Sequence, residues 1–155
     1  IGEGRFFLSG GYNSGSMMLE GKNQQDRMTV QPTFKLGAEV FGATQHTPIF
    51  YEGYIYGVRP DGQLVCLSTD GRVVWTSGSA HRFGIGPFMI ANDLIYAMND
   101  MGVLTLVKAT AAGYRQLAQA KVLEGPDSWG PMAVASGRLI LRDLKRMICL
   151  EIAEQ

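Results

Sequence analysis

The stretch Pro48-Ile-Phe-Tyr-Glu-Gly-Tyr-Ile-Tyr56, followed by Gln63-Leu-Val-Cys-Leu67, decides the fold of this chain. It reads as a proline-led apolar strand, a tight turn, a second strand, another turn, and a third strand that ends in leucine. Asp-Gly pairs at positions 61–62 and 70–71 supply the positive φ that such turns require. With Arg72–Thr76 as a fourth strand, the segment predicts one four-stranded antiparallel sheet.

The same pattern recurs along the chain. Complete copies of the proline-led strand begin at Pro87 and Pro131, and a partial copy begins at Gly4. Four equivalent positions follow one another at separations of 48, 40 and 45 residues, namely Leu8, Tyr56, Tyr96 and Leu141. A period of this length with several short strands per copy is typical of β-propeller blades.

The sequence therefore predicts an all-β fold, a partial β-propeller of about four blades of four-stranded antiparallel sheets. We expect a single domain over residues 1–155, with blades at about 1–36, 45–77, 85–124 and 130–153. The first copy lacks the proline-led inner strand and the last lacks the outermost strand. Since a ring of seven or eight blades needs about 300–350 residues, we expect the C-terminal part of a longer propeller, or a half-ring that associates.

One segment is ambiguous by composition. Residues 109–123 are rich in Ala and Gln, which favours a helix by propensity alone. Gly113 and the register of the repeat favour a strand at Tyr114–Val122, the outermost strand of the third blade.

Composition narrows the range of partners. The chain is 46% hydrophobic and 18% charged, and its 14 basic residues balance its 14 acidic ones. We expect no nucleic-acid partner, because no basic stripe is present, and no membrane span, because no apolar run is long enough. Strands with two apolar faces predict exposed apolar faces at the terminal blades. We therefore expect a protein partner, further propeller blades, or a homodimer that completes a ring.

The two cysteines occupy the same place in the repeat, just before the leucine that ends the third strand. Cys66 and Cys149 are two copies apart, which is too far for a disulfide in a radial array. We expect both to be small buried side chains. Neither has a second Cys or a His at ligand spacing, so we expect no metal site.

Leu67-Ser-Thr-Asp-Gly-Arg-Val-Val-Trp75 resembles the tryptophan-bearing repeat of pyrroloquinoline-quinone-like (BamB-like) β-propeller proteins. Arg82–Ile90 and Leu141–Leu150 look like the C-terminal blades of bacterial members of this superfamily. The resemblance is strongest over Pro48–Leu150 and implies an extracytoplasmic setting, in the periplasm or cell envelope.

The superfamily also includes quinoprotein dehydrogenases, where the quinone lies over a Trp and against a vicinal disulfide, beside a calcium ion. This chain has no Cys-Cys pair. Its turn residues Asp61, Asp70, Asp93 and Asp100 are explained by backbone geometry. We therefore expect neither pyrroloquinoline quinone nor calcium to bind this segment, and we expect no catalytic residue within it.

Five residues form a candidate binding rim. They lie in the loops that lead into the proline-led strands, which share one face of a propeller: Gln45, His46, His81, Arg82 and Trp129. The competing interpretation is that these side chains only cap strands and fill the channel mouth. No Ser or Cys nucleophile is placed with a His and an acid, which gives hydrolase chemistry no support.

The sequence thus favours a non-catalytic binding or scaffolding module that presents one face to a protein or a small ligand. The alternative is the C-terminal segment of a quinone-dependent oxidoreductase whose active site lies upstream.

Overall fold

A computed structural model describes residues 1–2, 4–24 and 27–152 of the chain. Regular structure in these residues consists of β-strands. No helix long and apolar enough to cross a membrane occurs in these ranges. The strands are β1 Arg5–Ser9, β2 Ser16–Gln24, β3 Arg27–Leu36, β4 Ile49–Tyr51, β5 Tyr54–Val58, β6 Leu64–Ser68, β7 Val73–Thr76, β8 Phe88–Ala91, β9 Leu94–Met98, β10 Val103–Lys108, β11 Gln116–Lys121, β12 Ala133–Ala135, β13 Arg138–Arg142 and β14 Met147–Glu151.

The strands form four antiparallel meanders, β1–β3, β4–β7, β8–β11 and β12–β14. The prediction that the first and last copies each lack one strand is confirmed, because their sheets have three strands and the middle two sheets have four. The strand prediction for the ambiguous segment is also confirmed, since Gln116–Lys121 pairs with β10. The four sheets lie within the predicted blade ranges. Residue 153, the last of the fourth range, lies outside the described residues.

Contacts divide the chain into two compact units, Ile1–His81 and Arg82–Gln155, hereafter the N-terminal and C-terminal units. Each contains two of the sheets.

The core of the N-terminal unit lies between its two sheets. Met18 from β2 and Ile55 from β5 are almost fully buried in it. Phe41, from the segment between β3 and β4, is fully buried and meets the ring of Phe7 edge to face, with centroids 5.2 Å apart. By its glycine content the segment 36–47 is predicted to be a linker between two blades, but the structure shows that it supplies a central core side chain. Gly57 is required beneath it, because the Phe41 ring leaves no space for even a methyl group there.

The core of the C-terminal unit is built in the same way. Its buried residues come from the second and third strands of one sheet, the second strand of the other, and the segment between the sheets: Tyr96, Met98, Leu104, Leu123, Leu139 and Leu141. Partly buried side chains from β12 and β14 complete it, including Val134 and Leu150. In both units the period-two alternation of the strands sends one set of apolar side chains into the shared core.

The four sheets differ in how many faces they bury. On β5, Ile55 and Tyr56 point to opposite faces and both are buried, and on β9 the same holds for Ile95 and Tyr96. The first and last sheets each leave one face open to solvent. On that face lie side chains that are 40–69% exposed, namely Phe6, Leu8, Met28 and Val30 in the first sheet and Ile140 and Met147 in the last. The predicted exposure of apolar faces at the terminal sheets is confirmed.

Because the last sheet leaves one face exposed, the prediction that both cysteines are buried is wrong for one of them. Cys66 is buried as expected, whereas Cys149 is exposed. Cys149 lies on β14 and points to the face of the last sheet on which Ile140 and Met147 are exposed. Both thiols are free.

The alignment of the last copy also shifts by one residue. Cys66 lies opposite Tyr56, and Cys149 lies opposite Ile140. The hydrogen bonds that close the following turns agree with this register. Ile140, rather than Leu141, is therefore the counterpart of Tyr56, and the same turn bonds make Phe7, rather than Leu8, its counterpart in the first copy. Because neighbouring strand residues point to opposite faces, this one-residue difference decides which side chain is buried.

Candidate functional site

In each unit, the loops that enter the first strands lie at the same end of the sheets as the turns between second and third strands. In the N-terminal unit, Ile49 at the start of β4 lies opposite Tyr56, close to the β5–β6 turn. In the C-terminal unit, the N–H of Met98 donates to the carbonyl of Pro87 at 2.9 Å, next to the β9–β10 turn. We call this end of each unit its loop end.

A depression of about 600 Å³ with charged side chains in its lining opens at the loop end of the N-terminal unit. The turn after β1, the segment after β3 and the β5–β6 turn line it, with Asn13, Gly37, Ala38, Glu39, Arg59, Pro60 and Asp61. We call it the polar pocket. Its volume falls in the range of small-molecule sites, about 300–1,000 Å³.

Two of the residues that line the polar pocket, Arg59 and Asp61, form an ion pair. The Arg59 guanidinium donates to both Asp61 oxygens, at 3.3 Å from Nε and 2.5 Å from Nη2. Asp61 also accepts from the backbone N–H of Gln63 at 3.1 Å and from its side-chain amide at 2.6 Å. Burial alone raises the pKa of the Asp61 carboxyl, but the hydrogen bonds and charge from Arg59 and the bonds from Gln63 lower the pKa below its usual value. The pair therefore stays ionised at neutral pH and adds no net charge.

Glu39 supplies the remaining carboxylate of the polar pocket. It lies in a tight turn in which the N–H groups of Val40 and Phe41 both donate to the carbonyl of Gly37 at 3.0 Å. The Glu39 carboxylate folds back against Gly37, which has no side chain in its way. Glu39 is exposed and forms no ion pair within the described residues. With Arg59 and Asp61 neutralising each other, the pocket carries one unbalanced negative charge.

The predicted rim residues of the N-terminal unit all lie at or next to its loop end. Gln45 is exposed and His46 is partly buried in the loop before β4. His81 is exposed after β7, and its turn is fixed through Ser77, whose hydroxyl donates to the carbonyl of His81 at 2.6 Å and accepts from the N–H of Leu64 at 3.0 Å. The polar pocket lies at this end too, although its charged residues were not among the predicted site residues.

In the C-terminal unit, Arg82 is exposed and Trp129 is 40% exposed. Trp129 is held in place by Asp100 on the β9–β10 turn, since its indole Nε1–H donates to Asp100 Oδ1 at 2.8 Å. The same oxygen accepts from the N–H of Ile85 at 3.0 Å, and the N–H of Ser128 donates to the carbonyl of Asp100 at 3.3 Å. Asp100 thus ties the loop before β12 to the loop before β8.

Backbone geometry explains the turn aspartates only in part. Asp61 does accept from the backbone two residues on, as expected for a turn. Asp100 instead bonds groups 15 and 29 residues away. No local pattern identifies such partners, because the contacts exist only after the sheet brings the loops together.

We expect the Trp129–Asp100 hydrogen bond to contribute measurably to stability. A double-mutant cycle of Trp129→Phe and Asp100→Ala should give a coupling free energy of about 1 kcal/mol, since the indole remains partly exposed. Chemical unfolding of the four proteins measures it. Asp100→Asn, which retains an acceptor oxygen, is the conservative control. A coupling energy indistinguishable from zero would contradict the assignment.

Within residues 1–2, 4–24 and 27–152, no group of three or more His, Cys, Asp or Glu side chains is arranged to hold a metal ion.

Comparisons with known proteins support the architecture alone. No family model matches the sequence, and no curated protein matches it. Among solved structures, the chain is similar to the computationally designed Ika8 protein, with a TM-score of 0.58 and 9% identity over 88% of this chain and 43% of that one. It is also similar to glutaminyl cyclase of Myxococcus xanthus, a β-propeller-like fold, with a TM-score of 0.50 and 10% identity over 95% of this chain and 71% of that one. The chain spans less than half the length of the designed protein. These likenesses show an all-β, propeller-like architecture.

Proposed function

We propose that this chain is a non-catalytic binding module that presents the loop end of its sheets to a protein or a small ligand. The observation that carries the proposal is the polar pocket, a depression of about 600 Å³ that opens at the same end as the predicted rim residues of the N-terminal unit. A scaffold of paired strands with binding residues on its connecting loops is a common arrangement for recognition.

The charges of the pocket favour one class of small ligand. The Arg59–Asp61 pair is internally neutral, and Glu39 leaves one carboxylate that can accept hydrogen bonds. A ligand that brings an ammonium group or several hydroxyl groups would satisfy Glu39 and meet the hydrogen-bonding backbone around Gly37. We therefore propose a small cationic or polyhydroxylated ligand rather than an anion.

The proposal includes the wider setting inferred from the sequence. The repeat around Trp75 resembles that of pyrroloquinoline-quinone-like propellers, and this resemblance supports membership of that superfamily and an extracytoplasmic location. We propose that the segment itself binds neither quinone nor calcium. Its partner would be a protein or further blades that cover the open sheet faces.

A ligand screen tests the proposal. Amino acids, polyamines and monosaccharides are titrated into the protein, and binding is followed by thermal shift and calorimetry. Glu39→Gln should lower the affinity for a ligand that binds in the pocket by about tenfold, which corresponds to the loss of one charge-assisted hydrogen bond. Glu52→Gln is the matched control, because Glu52 is an exposed glutamate in the β4–β5 turn, at the opposite end of the sheet. Absence of any ligand, or equal weakening by both variants, would contradict this use of the pocket.

The alternative, a quinone-dependent oxidoreductase with its site in a preceding segment, makes a different prediction. It requires dye reduction that depends on added pyrroloquinoline quinone and calcium. Such activity would replace the binding-module proposal.

A further inference from the structure

Strand β14 is the outer strand of the last sheet. Among the described residues it pairs with β13 alone, in the order β12-β13-β14. Two hydrogen bonds at the ends of the ladder fix its direction: the N–H of Asp143 donates to the carbonyl of Arg146 at 3.0 Å, and the N–H of Ile152 donates to the carbonyl of Gly137 at 2.8 Å. Because hydrogen-bonded pairs alternate along an antiparallel ladder, the even-numbered residues of β14 direct their backbone groups to β13.

The odd-numbered residues of β14 direct their backbone N–H and C=O groups to the outer edge of the sheet. These residues are Met147, Cys149 and Glu151, and all of them are exposed. The strand contains neither proline nor glycine. Each of these residues can therefore donate and accept a hydrogen bond across the edge.

The outer strands of the other sheets have irregular edges. The pairing of β3, β7 and β11 with their neighbours shifts register within each ladder. β3 also contains Pro32, which has no N–H to donate. Bulges and prolines at an edge oppose pairing with another chain. β14 pairs with β13 without a register shift, so its edge is regular and suited to pairing.

The sequence of β14 is complementary to itself in the antiparallel direction. The apolar residues 147–150 are preceded by the basic turn residues Lys145 and Arg146 and followed by Glu151. Arg146 already contacts Glu124 at 3.5 Å. Two copies of the strand in antiparallel orientation would place the acidic end of each beside the basic end of the other, where opposite charges attract across strands.

We propose that two copies of this chain pair through their β14 strands, antiparallel about a two-fold axis at Cys149. In this register Met147 of each copy lies opposite Glu151 of the other, and Ile148 lies opposite Leu150. The outward-facing residues then form hydrogen-bonded pairs, each of which exchanges two hydrogen bonds. Because the same edge is used by both copies, the association closes at a dimer with one continuous sheet. The polar pocket is lined by no residue of β14, so the inference is independent of the proposed function.

Light scattering of the whole chain over a dilution series, in reducing buffer, tests the proposal. The protein should be a concentration-dependent dimer. Cys149→Pro removes an outward-facing N–H and leaves the β13–β14 ladder its hydrogen bonds, so it should raise the dissociation constant of the dimer at least about tenfold. Cys149→Ser, which keeps the N–H, is the matched control. A monomer throughout the series, or equal dissociation constants for the two variants, would overturn the proposal.

A charge variant keeps the test independent of the proline. Glu151→Lys places like charges at both ends of the paired strands, and the two-fold axis doubles the effect. It should raise the dissociation constant by about tenfold. Glu52→Lys is the matched control, because Glu52 is an exposed glutamate in the β4–β5 turn of the N-terminal unit and makes the same change in net charge. Equal effects of the two substitutions would overturn the proposal.

Disulfide trapping determines the register. The Cα atoms of a hydrogen-bonded pair are about 5.5 Å apart, which suits a disulfide. In a Cys66→Ala background, diamide takes up two electrons and two protons from the paired thiols and should link Cys149 across the axis.

Moving the thiol along the strand provides the control. With Cys66→Ala and Cys149→Ser, a cysteine at position 147 lies roughly 14 Å from its own copy across the axis and should not link. A mixture of Met147→Cys and Glu151→Cys proteins in that background should link, because these positions are opposite each other. Linking of Met147→Cys to itself as fast as Cys149 would overturn the proposed register and, with it, the proposal.

Discussion

Replacing Phe41 with alanine is expected to lower the free energy of unfolding of the N-terminal unit by about 3–5 kcal/mol. The ring is fully buried, packs edge to face on Phe7, and lies against Gly57. Its removal leaves a cavity between two sheets whose backbones are fixed by hydrogen bonds and can collapse only partly. Since a typical domain has a stability of about 5–15 kcal/mol, this loss is a large fraction of the total.

The measurement is chemical unfolding followed by tryptophan fluorescence. Trp75 is the only tryptophan in the N-terminal unit, so a Trp129→Phe background isolates its signal. Phe50→Ala is the matched control, because that ring is 44% exposed. Its removal should lower the free energy of unfolding by only about 1 kcal/mol. If Phe41→Ala does not fold, Phe41→Leu gives a graded loss. Equal effects at positions 41 and 50 would contradict the central role of Phe41.

The second large effect is a difference in thiol reactivity. Cys149 should react rapidly with a water-soluble thiol reagent at pH 8, whereas Cys66 should react at least about 100-fold more slowly. Burial raises the pKa of the Cys66 thiol from 9.0 to about 11, and the neighbouring Tyr56 side chain offsets this rise only in part. At pH 8 this rise alone reduces the reactive thiolate about 100-fold. The buried position restricts access of the reagent further.

Single-cysteine proteins resolve the two rates. Cys149→Ser leaves Cys66 as the sole thiol, and Cys66→Ala leaves Cys149. Addition of denaturant should bring the two rates together, because unfolding exposes Cys66 and restores its ordinary pKa. Comparable rates in the folded protein would show that Cys66 is not buried as described.

The contrast between these cysteines shows that the local sequence predicts a position in the repeat but not its burial. Their shared place on the third strand of the repeat was correctly predicted, although Cys149 lies opposite Ile140 rather than the expected Leu141. Whether that place is buried depends on contacts with residues far away in the sequence, which a local pattern does not contain. The burial of Phe41 was not predicted for the same reason, because the sequence around it resembles a glycine-containing linker.

The candidate site was predicted in part for a similar reason. His46 and Trp129 were predicted as site residues because the repeat predicts which loops share one end of a sheet. Arg59, Asp61 and Glu39 were missed, since only the folding of three separate segments against one another creates the pocket that they line.

By itself, the sequence determined the four antiparallel sheets, their strand deficits and the open apolar faces of the first and last sheets. It could do so because strand periodicity, proline positions and Asp-Gly turns are local properties that recur with the repeat. Only the tertiary structure decided that Phe41 is central to the core, that Cys149 is exposed, and that Asp100 holds Trp129. These features depend on contacts between residues far apart in the chain, and such contacts arise only when the sheets pack.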